Sequence, residues 1–305
     1  MRLGVNLPNF GPGTDPDLLR RWAQTVEGLG FDLLMVSDHL AITDDVQQIY
    51  PAPFYEPLST LAWLAGVTSR IRLGTTVLLL PYRHPVQVAR MAGNIDALAG
   101  GGRLVLGVAS GWAKDEFAAL GLPFAKRGAM SEDHLAALRV LLANDVASYE
   151  GPFVSFQNVR TAPRPEAGVP IWVGGNSDVA LRRAIRLGDG WHPLRFGSMS
   201  WLRAALARLT TFADEAGRDV PVLAPRIPLR PTESPITDPD RPVGTGTLAQ
   251  IRADLDELRE LGADTVVLDT TNTDDPDNTR RPNTAWRLLA SVAEAQLNEG
   301  SSGSR

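Results

Sequence analysis

Residues 56–90 read EPLSTLAWLAGVTSRIRLGTTVLLLPYRHPVQVAR. Residues 57–67 have helical spacing behind a proline that suits a first helical turn, 71–78 form a short apolar run with β-branched residues, and Pro85 opens a second helical stretch reaching residue 98. The central run is too apolar for a strand with one wet face, so it belongs in a parallel sheet covered by helices. The same alternation continues outward in both directions. Strand-like runs lie at 2–7, 33–38, 104–110, 170–175, 189–194, 220–227 and 265–270, and amphipathic stretches at 15–29, 131–143, 178–187, 201–216, 248–261 and 284–297. Glycine punctuates several joints, as in Leu29-Gly30, Leu187-Gly188 and Leu261-Gly262, where a left-handed residue would stop the helix.

Eight strand–helix units in 305 residues predict an α/β fold, a single (β/α)8 TIM barrel with loop insertions over residues 1–297, followed by a flexible tail at 298–305. The doubly wound open sheet is the rival, and the count of units favours the barrel. Three excursions interrupt the alternation, at 41–55, 149–168 and 230–246. Within the second, SYEGPFVSF alternates around Glu150-Gly151-Pro152 and predicts a small antiparallel hairpin outside the barrel; the third, rich in proline and charge, predicts a mobile loop on the active face.

Composition narrows the function. Hydrophobic residues at 44% and charged residues at 21% exclude a disordered chain. Thirty basic against 35 acidic side chains give a formal charge of -5, the wrong sign for a general nucleic-acid or anionic-membrane binder. The absence of cysteine excludes disulfides, thiolate metal sites and cysteine nucleophiles. The first residues lack the apolar stretch of a secretory signal and no run has the length of a membrane span, so a soluble, cytoplasmic protein is expected.

In a barrel of this kind chemistry collects where strands end and the following loops begin. Those positions hold Asn6 and Pro8, Asp38 and His39, Thr75 to Val77, Ser110 to Trp112, Gly174 to Ser177, Trp191 and His192, Arg226, and Asp269. The four histidines, His39, His84, His134 and His192, show no metal-ligand spacing, so no metal is expected; His84 and His134 read as structural, and His192 is undecided. No nucleophile elbow, phosphate-binding P-loop or dinucleotide fingerprint is present. What remains is a largely neutral, glycine-lined mouth near Trp112 and Trp191, which suits a flat aromatic ligand carrying a phosphate. Gly174-Gly175-Asn176-Ser177, between a buried strand and a helix, would offer backbone N–H groups and a helix dipole to an anion; a plain tight turn is the other reading. Asp38-His39 reads either as a helix cap with a satisfied histidine or as a proton-handling pair at the rim.

The chain resembles the luciferase-like monooxygenase superfamily, and within it the branch that uses coenzyme F420. The resemblance is carried by GFDLLMVSDHL (30–40), by 56–90, by GGRLVLGVASGWAKDEFAALGLPFAKR (101–127) and by PIWVGGNS (170–177). It implies a usually dimeric barrel with a cofactor ring across its mouth. His39 matches the histidine beside the deazaflavin ring and Asp38 its neighbour, the two catalytic candidates. Thr76-Val77 matches a non-proline cis peptide under the ring, Ser110-Gly111 matches backbone at the cofactor, and Gly174-Gly175-Asn176 matches the phosphate segment. The sugar-phosphate dehydrogenases of the family carry a glutamate near the fourth-strand loop and substrate-gripping lysines; this chain has Gly111-Trp112 there and no obvious lysine pair, with Lys114 and Lys126 its only lysines.

The expected function is an oxidoreductase passing a hydride between coenzyme F420 and a small organic substrate, as a cytoplasmic homodimer with no nucleic-acid or membrane partner. The alternative within the family is a monooxygenase using reduced FMN and O2, and a non-catalytic cofactor-binding barrel comes behind it. An aldolase or isomerase on this fold would want a lysine or glutamate at a strand end, and none is evident there.

Overall fold

A computed structural model describes residues 1–271 and 280–302. The strands are β1 (Arg2–Asn6), β2 (Leu33–Val36), β3 (Arg72–Leu79), β4 (Leu104–Ala109), β5 (Ala147–Glu150), β6 (Ser155–Val159), β7 (Ile171–Gly174), β8 (Gly190–His192), β9 (Val222–Leu223), β10 (Arg226–Pro228), β11 (Arg230–Pro231), β12 (Thr245–Gly246) and β13 (Thr265–Asp269). The helices are α1 (Pro16–Gly28), α2 (Asp44–Gln47), α3 (Pro57–Val67), α4 (Pro85–Leu98), α5 (Lys114–Ala119), α6 (Arg127–Ala143), α7 (Asp178–Leu187), α8 (Met199–Ala216), α9 (Leu248–Glu260) and α10 (Pro282–Ser302). The end of the expected tail, 303–305, lies outside the described residues.

Among the described residues, nine strands form one parallel sheet in the order β10-β13-β1-β2-β3-β4-β7-β8-β9. Both outer strands come from 222–228, where one strand was expected; Pro225, which has no N–H to donate, separates the two halves. That stretch bonds to both ends of the sheet: Ala224 N–H reaches Trp191 O at 2.9 Å and Arg226 N–H reaches Pro193 O at 3.0 Å on one side, while Pro225 O accepts from Val267 N–H at 2.8 Å on the other. The sheet is therefore curled, with helices on its convex face.

The curl gives the strands two buried faces. Leu34, Val36, Leu104, Leu106, Ile171 and Val173 join the large core under the helices, whereas Leu33, Met35, Val105, Trp172, Ala224 and Val267 form a second apolar cluster. Alternation with period two inside uniformly apolar strands is the pattern of a sheet wetted on neither side. Proline at the first turn starts α1, α3 and α4, and Ser177 and Thr247 cap α7 and α9 through their side chains. SYEGPFVSF forms the antiparallel β5–β6 hairpin apart from the main sheet, as its pattern predicts. Periodicity did not predict the short α5, which follows the fourth-strand loop.

Candidate active site

The site begins with an irregularity in β3. Its register against β4 shifts between Thr75 and Leu78, and the Thr76–Val77 peptide is cis, the position where the resemblance placed such a bond. A β-bulge re-aims side chains at a strand end. The neighbouring strand makes room for it: a Cβ at Gly107 would come within 2.2 Å of Thr75 O. Thr76 and Val77 consequently line an open cavity at the carboxyl ends of the strands.

The cavity has two lobes sharing Val77, Leu79, Trp112, Gly175 and Leu194. The first, about 450 Å³, is walled by Ser37, Asp38, His39, Tyr50, Arg195 and Arg226, among others. The second, about 460 Å³, is walled by Ser110, Gly111, Arg127, Gly174, Ser177 and Arg183, among others. The candidate residues thus assemble around one space, and two differ from the expectation. Asn176 is not in either wall; its amide donates to Leu194 O at 2.7 Å and accepts from Leu194 N–H at 3.3 Å, tying two loops together. Trp191 is fully buried and donates Nε1–H to Gly175 O at 2.9 Å, so it supports the Gly174-Gly175 turn and does not line the cavity.

His39 is 5% exposed and Glu116, which periodicity and spacing missed, is fully buried. Their contact, His39 Nδ1 to Glu116 Oε2, is 2.6 Å. Glu116 also accepts from Leu40 N–H (2.6 Å), Ala41 N–H (3.1 Å) and the Tyr82 hydroxyl (2.9 Å). A carboxylate so surrounded is an acceptor, so the proton between it and the imidazole sits on Nδ1. Among the described residues, Nε2 has no hydrogen-bond partner, and the ring stands in the cavity wall. Burial, then the Glu116 carboxylate, holds the Tyr82 phenol above its ordinary range, which keeps it a donor. A signal for Glu116 existed: KDEFAAL sets a glutamate beside Phe117 on a short helix that buries both.

Asp38 faces away from this histidine chemistry. Its carboxylate takes both ends of the Arg83 guanidinium (2.7 and 2.9 Å) and Leu79 N–H (2.8 Å), and Arg83 reaches on to Glu56 at 2.8 Å. Burial works against the Arg83 cation, but hydrogen bonds and charge from Asp38, with Glu56 behind, carry its pKa above the ordinary arginine value. His192, left open by the sequence, is buried beneath the bulge: Nε2 meets the Thr76 hydroxyl at 2.9 Å and Nδ1 meets Ala224 O. Burial, aided by Arg226, lowers its pKa to about 4 against the favourable Ala224 contact. It is a neutral imidazole donating through Nδ1 and accepting through Nε2. Arg226 donates to Thr76 O at 2.9 Å and pairs with Asp269 at 2.5 Å, and Asp269 accepts from Asn6 at 3.2 Å. His84 caps α4 by accepting Val86 N–H at 3.2 Å, and His134 Nδ1 bonds Leu80 O at 2.9 Å; both are structural.

At the second lobe α7 starts from the Gly174-Gly175 turn, and Gly175 has φ +122, open to glycine and strained for any other residue. Arg183 lies behind it, 6% exposed: it contacts Ser110 Oγ at 3.3 Å and Gly128 O at 3.1 Å, its nearest carboxylate, Glu132, is 4.0 Å away, and its Nε has no partner. Arg127 leans on Phe124, 4.0 Å from the ring centroid. In the first lobe the buried Ser37 hydroxyl also lacks a partner. The expected contribution of 230–246 is not found: no residue of that segment lines either lobe among the described residues, because Arg241 pins it to Asp254 of α9 at 2.6 and 2.8 Å. Among the described residues no cluster of three or more potential metal ligands occurs, and no helix is long and apolar enough to cross a membrane.

A family model described as luciferase-like monooxygenase matches residues 1–235. An uncharacterized protein of Mycobacterium tuberculosis (strain ATCC 25618 / H37Rv) is 33% identical over 211 residues, covering 65% of this chain and 72% of its own. The pyrimidine monooxygenase RutA of Acinetobacter baylyi (strain ATCC 33305 / BD413 / ADP1) is 30% identical over 229 residues, 72% of this chain and 60% of its own. Among solved structures, the coenzyme F420-dependent tetrahydromethanopterin reductase of Methanopyrus kandleri is similar with a TM-score of 0.72 and 18% identity, covering 95% of this chain and 97% of that one. The oxygenating constituent of 3,6-diketocamphane monooxygenase from Pseudomonas putida, in complex with FMN, is similar with a TM-score of 0.73 and 18% identity, covering 96% of each.

Proposed function

The chain belongs to the luciferase-like monooxygenase family, and on that premise we propose that it is an oxidoreductase using coenzyme F420 to exchange a hydride with a small organic substrate. The observation that carries this reading is the two-lobed cavity itself: Val77 and Trp112 lie in both walls, the Gly174-Gly175 turn borders one lobe and the oriented His39 imidazole the other, which supports a ring with an anionic tail. The residues fit such a group. Bare backbone at Gly174-Gly175, the α7 start and the under-partnered Arg183 suit a phosphate, and the unpartnered Ser37 hydroxyl suits a polar ring edge. Thr76, Val77, Ser110 and Gly111 would frame the ring, with Asn176 holding the cradle in shape.

When bound, the deazaflavin would supply a carbon centre that gives or takes a hydride. The protein's own work is positional. Glu116 fixes His39 in the Nδ1–H form and presents Nε2 to the cavity, where it accepts a proton from, or hydrogen-bonds, the substrate oxygen. Asp38 acts through Arg83 and Leu79 N–H, locking the end of β3 against β2. The neutral His192 supports Thr76 from below without charging the floor of the slot. We extend the reading to a single functional unit, residues 1–297, on an eight-stranded closed barrel, supported by the bonds that 222–228 makes to both sheet ends. A cytoplasmic homodimer acting on free small molecules completes the proposal, on the strength of the resemblance.

The second reading is an FMN-dependent monooxygenase, favoured by the likeness to a pyrimidine monooxygenase. Titrating the purified protein with each cofactor while following tryptophan emission, to which Trp112 in both walls contributes, separates them. Saturable quenching by coenzyme F420 with none by FMN is expected; the reverse would hand the assignment to the monooxygenase.

A further inference from the structure

The first lobe holds four acidic or basic side chains, Asp38, His39, Arg195 and Arg226, and three of them are already matched. Asp38 is spent on Arg83, His39 on Glu116 and Arg226 on Asp269. Arg195, an exposed residue at the rim of the lobe, is the exception. Its Nη2 donates to the neutral hydroxyl of Tyr50 at 2.7 Å, its guanidinium carbon lies 5.4 Å from the Tyr50 ring centroid, and among the described residues it makes no ion pair. Among the described residues it is also one of two non-glycine residues with positive φ, at +48, a left-handed conformation that arginine rarely adopts. The bonds from the Asn176 amide to both backbone groups of Leu194 hold this turn, so the loop is fixed in the shape that brings an arginine to the cavity.

The surroundings say what such a cation would meet. Ile49, Tyr50, Val77, Leu79, Trp112 and Leu194 make much of the remaining wall apolar, with the Ser37 and Thr76 hydroxyls beside them, and the Tyr50 ring links Arg195 to His39, whose ring centroid is 5.1 Å from that of Tyr50. The space is therefore walled by a fork-shaped cation and an imidazole, both against the Tyr50 ring, and by the Trp112 face. We propose that Arg195 is the substrate's anion anchor, and that the substrate is a small carboxylate with a flat, apolar body whose reacting end lies toward His39. A carboxylate matches the guanidinium in two parallel hydrogen bonds and would pair the one arginine of the lobe that has no carboxylate partner among the described residues. Calling this ligand a substrate rests on the redox reading; the presence of an anion subsite does not.

Benzoate and benzamide are probes of the same shape that differ in charge. Calorimetric titration of the full chain is expected to show benzoate binding at least about tenfold more tightly than benzamide. Arg195→Gln should weaken benzoate by about tenfold or more while leaving benzamide and coenzyme F420 unchanged, and Arg195→Lys should fall between. Absence of saturable benzoate binding, equal affinity for the two probes, an unaltered Arg195→Gln variant, or a variant that loses coenzyme F420 and keeps benzoate would each overturn the proposal. Retained benzoate preference in a wild-type protein that binds neither cofactor would support the anion subsite while removing the redox reading, so the two failures are distinguishable.

Discussion

Asp38→Asn tests whether the buried ion pair, more than any proton chemistry, explains why a carboxylate stands next to His39. The substitution keeps the size of the side chain and removes its charge. Asp38 Oδ2 accepts from Leu79 N–H at 2.8 Å and Arg83 Nη1 at 2.7 Å, and Oδ1 accepts from Arg83 Nη2 at 2.9 Å. If the asparagine oxygen keeps the first two partners, its amide N–H group must face Nη2, so one charge-assisted bond worth about 1.5–3 kcal/mol is lost and a repulsive contact replaces it. Arg83, with its side chain 5% exposed, is then left with Glu56, whose side chain is 29% exposed. Removing one partner of a buried pair costs about 3–5 kcal/mol, a large share of the ~5–15 kcal/mol that holds a domain together. Urea unfolding should show a lower midpoint with an unchanged slope. Asp38→Asn combined with Arg83→Met should recover part of the loss, because no uncompensated cation remains. A loss below about 1 kcal/mol in the single variant would refute the assignment of Asp38 to this structural pair.

Glu116→Gln should lower turnover by about 10²–10⁴-fold with little change in cofactor affinity, and 15N shifts of the His39 ring should show that Nδ1–H is no longer the fixed form; unchanged shifts would count against Glu116 as the orienting group. Gly175→Ala places a Cβ 3.0 Å from the Ala180 Cβ at a backbone angle of +122, so the cradle must move and the cofactor dissociation constant should rise about tenfold or more, as read by tryptophan quenching. Because the folded state lowers the His192 pKa from 6.5 to about 4, the unfolded chain binds the proton more readily between those values, and stability is full above about pH 6.5 and lost as pH falls toward 4. His192→Gln should flatten that acid limb, by on the order of 3 kcal/mol, in urea midpoints taken across the range; an equally steep limb in the variant would disprove the linkage.

The fold was legible because its signals are local. A proline at a first turn, a glycine after a last turn and an uninterrupted β-branched run need no knowledge of distant residues, and α3, α4 and α7 fall where those marks place them. The Gly174-Gly175 turn was legible because it lies within a single strand-to-loop transition, whereas the Thr76–Val77 peptide was placed only by the family resemblance. Glu116, Arg83 and Arg183 were not legible, because their meaning comes from partners 77, 45 and 73 residues away, a distance fixed only by the curl of the sheet. Trp191 shows the converse error: an aromatic at a strand end reads as a ligand wall, but its ring packs against Trp201 and its N–H holds the Gly175 carbonyl. Side-chain direction depends on which face of a short strand looks inward, and a three-residue strand such as β8 leaves no periodicity to read.

The excursion at 41–55 does more than cover the mouth. Tyr50 and Phe54 lie 5.1 and 5.5 Å from the His39 ring, and Phe10 joins them across β1's loop in the same aromatic knot. A segment that would help choose among substrates is thus packed against the residue that would manage their protons. Transplanting it from a relative, or randomising it in a library, would disturb selectivity and reactivity together, so directed evolution of this scaffold should proceed by paired changes on both sides of the imidazole, not by swapping the loop as a cassette.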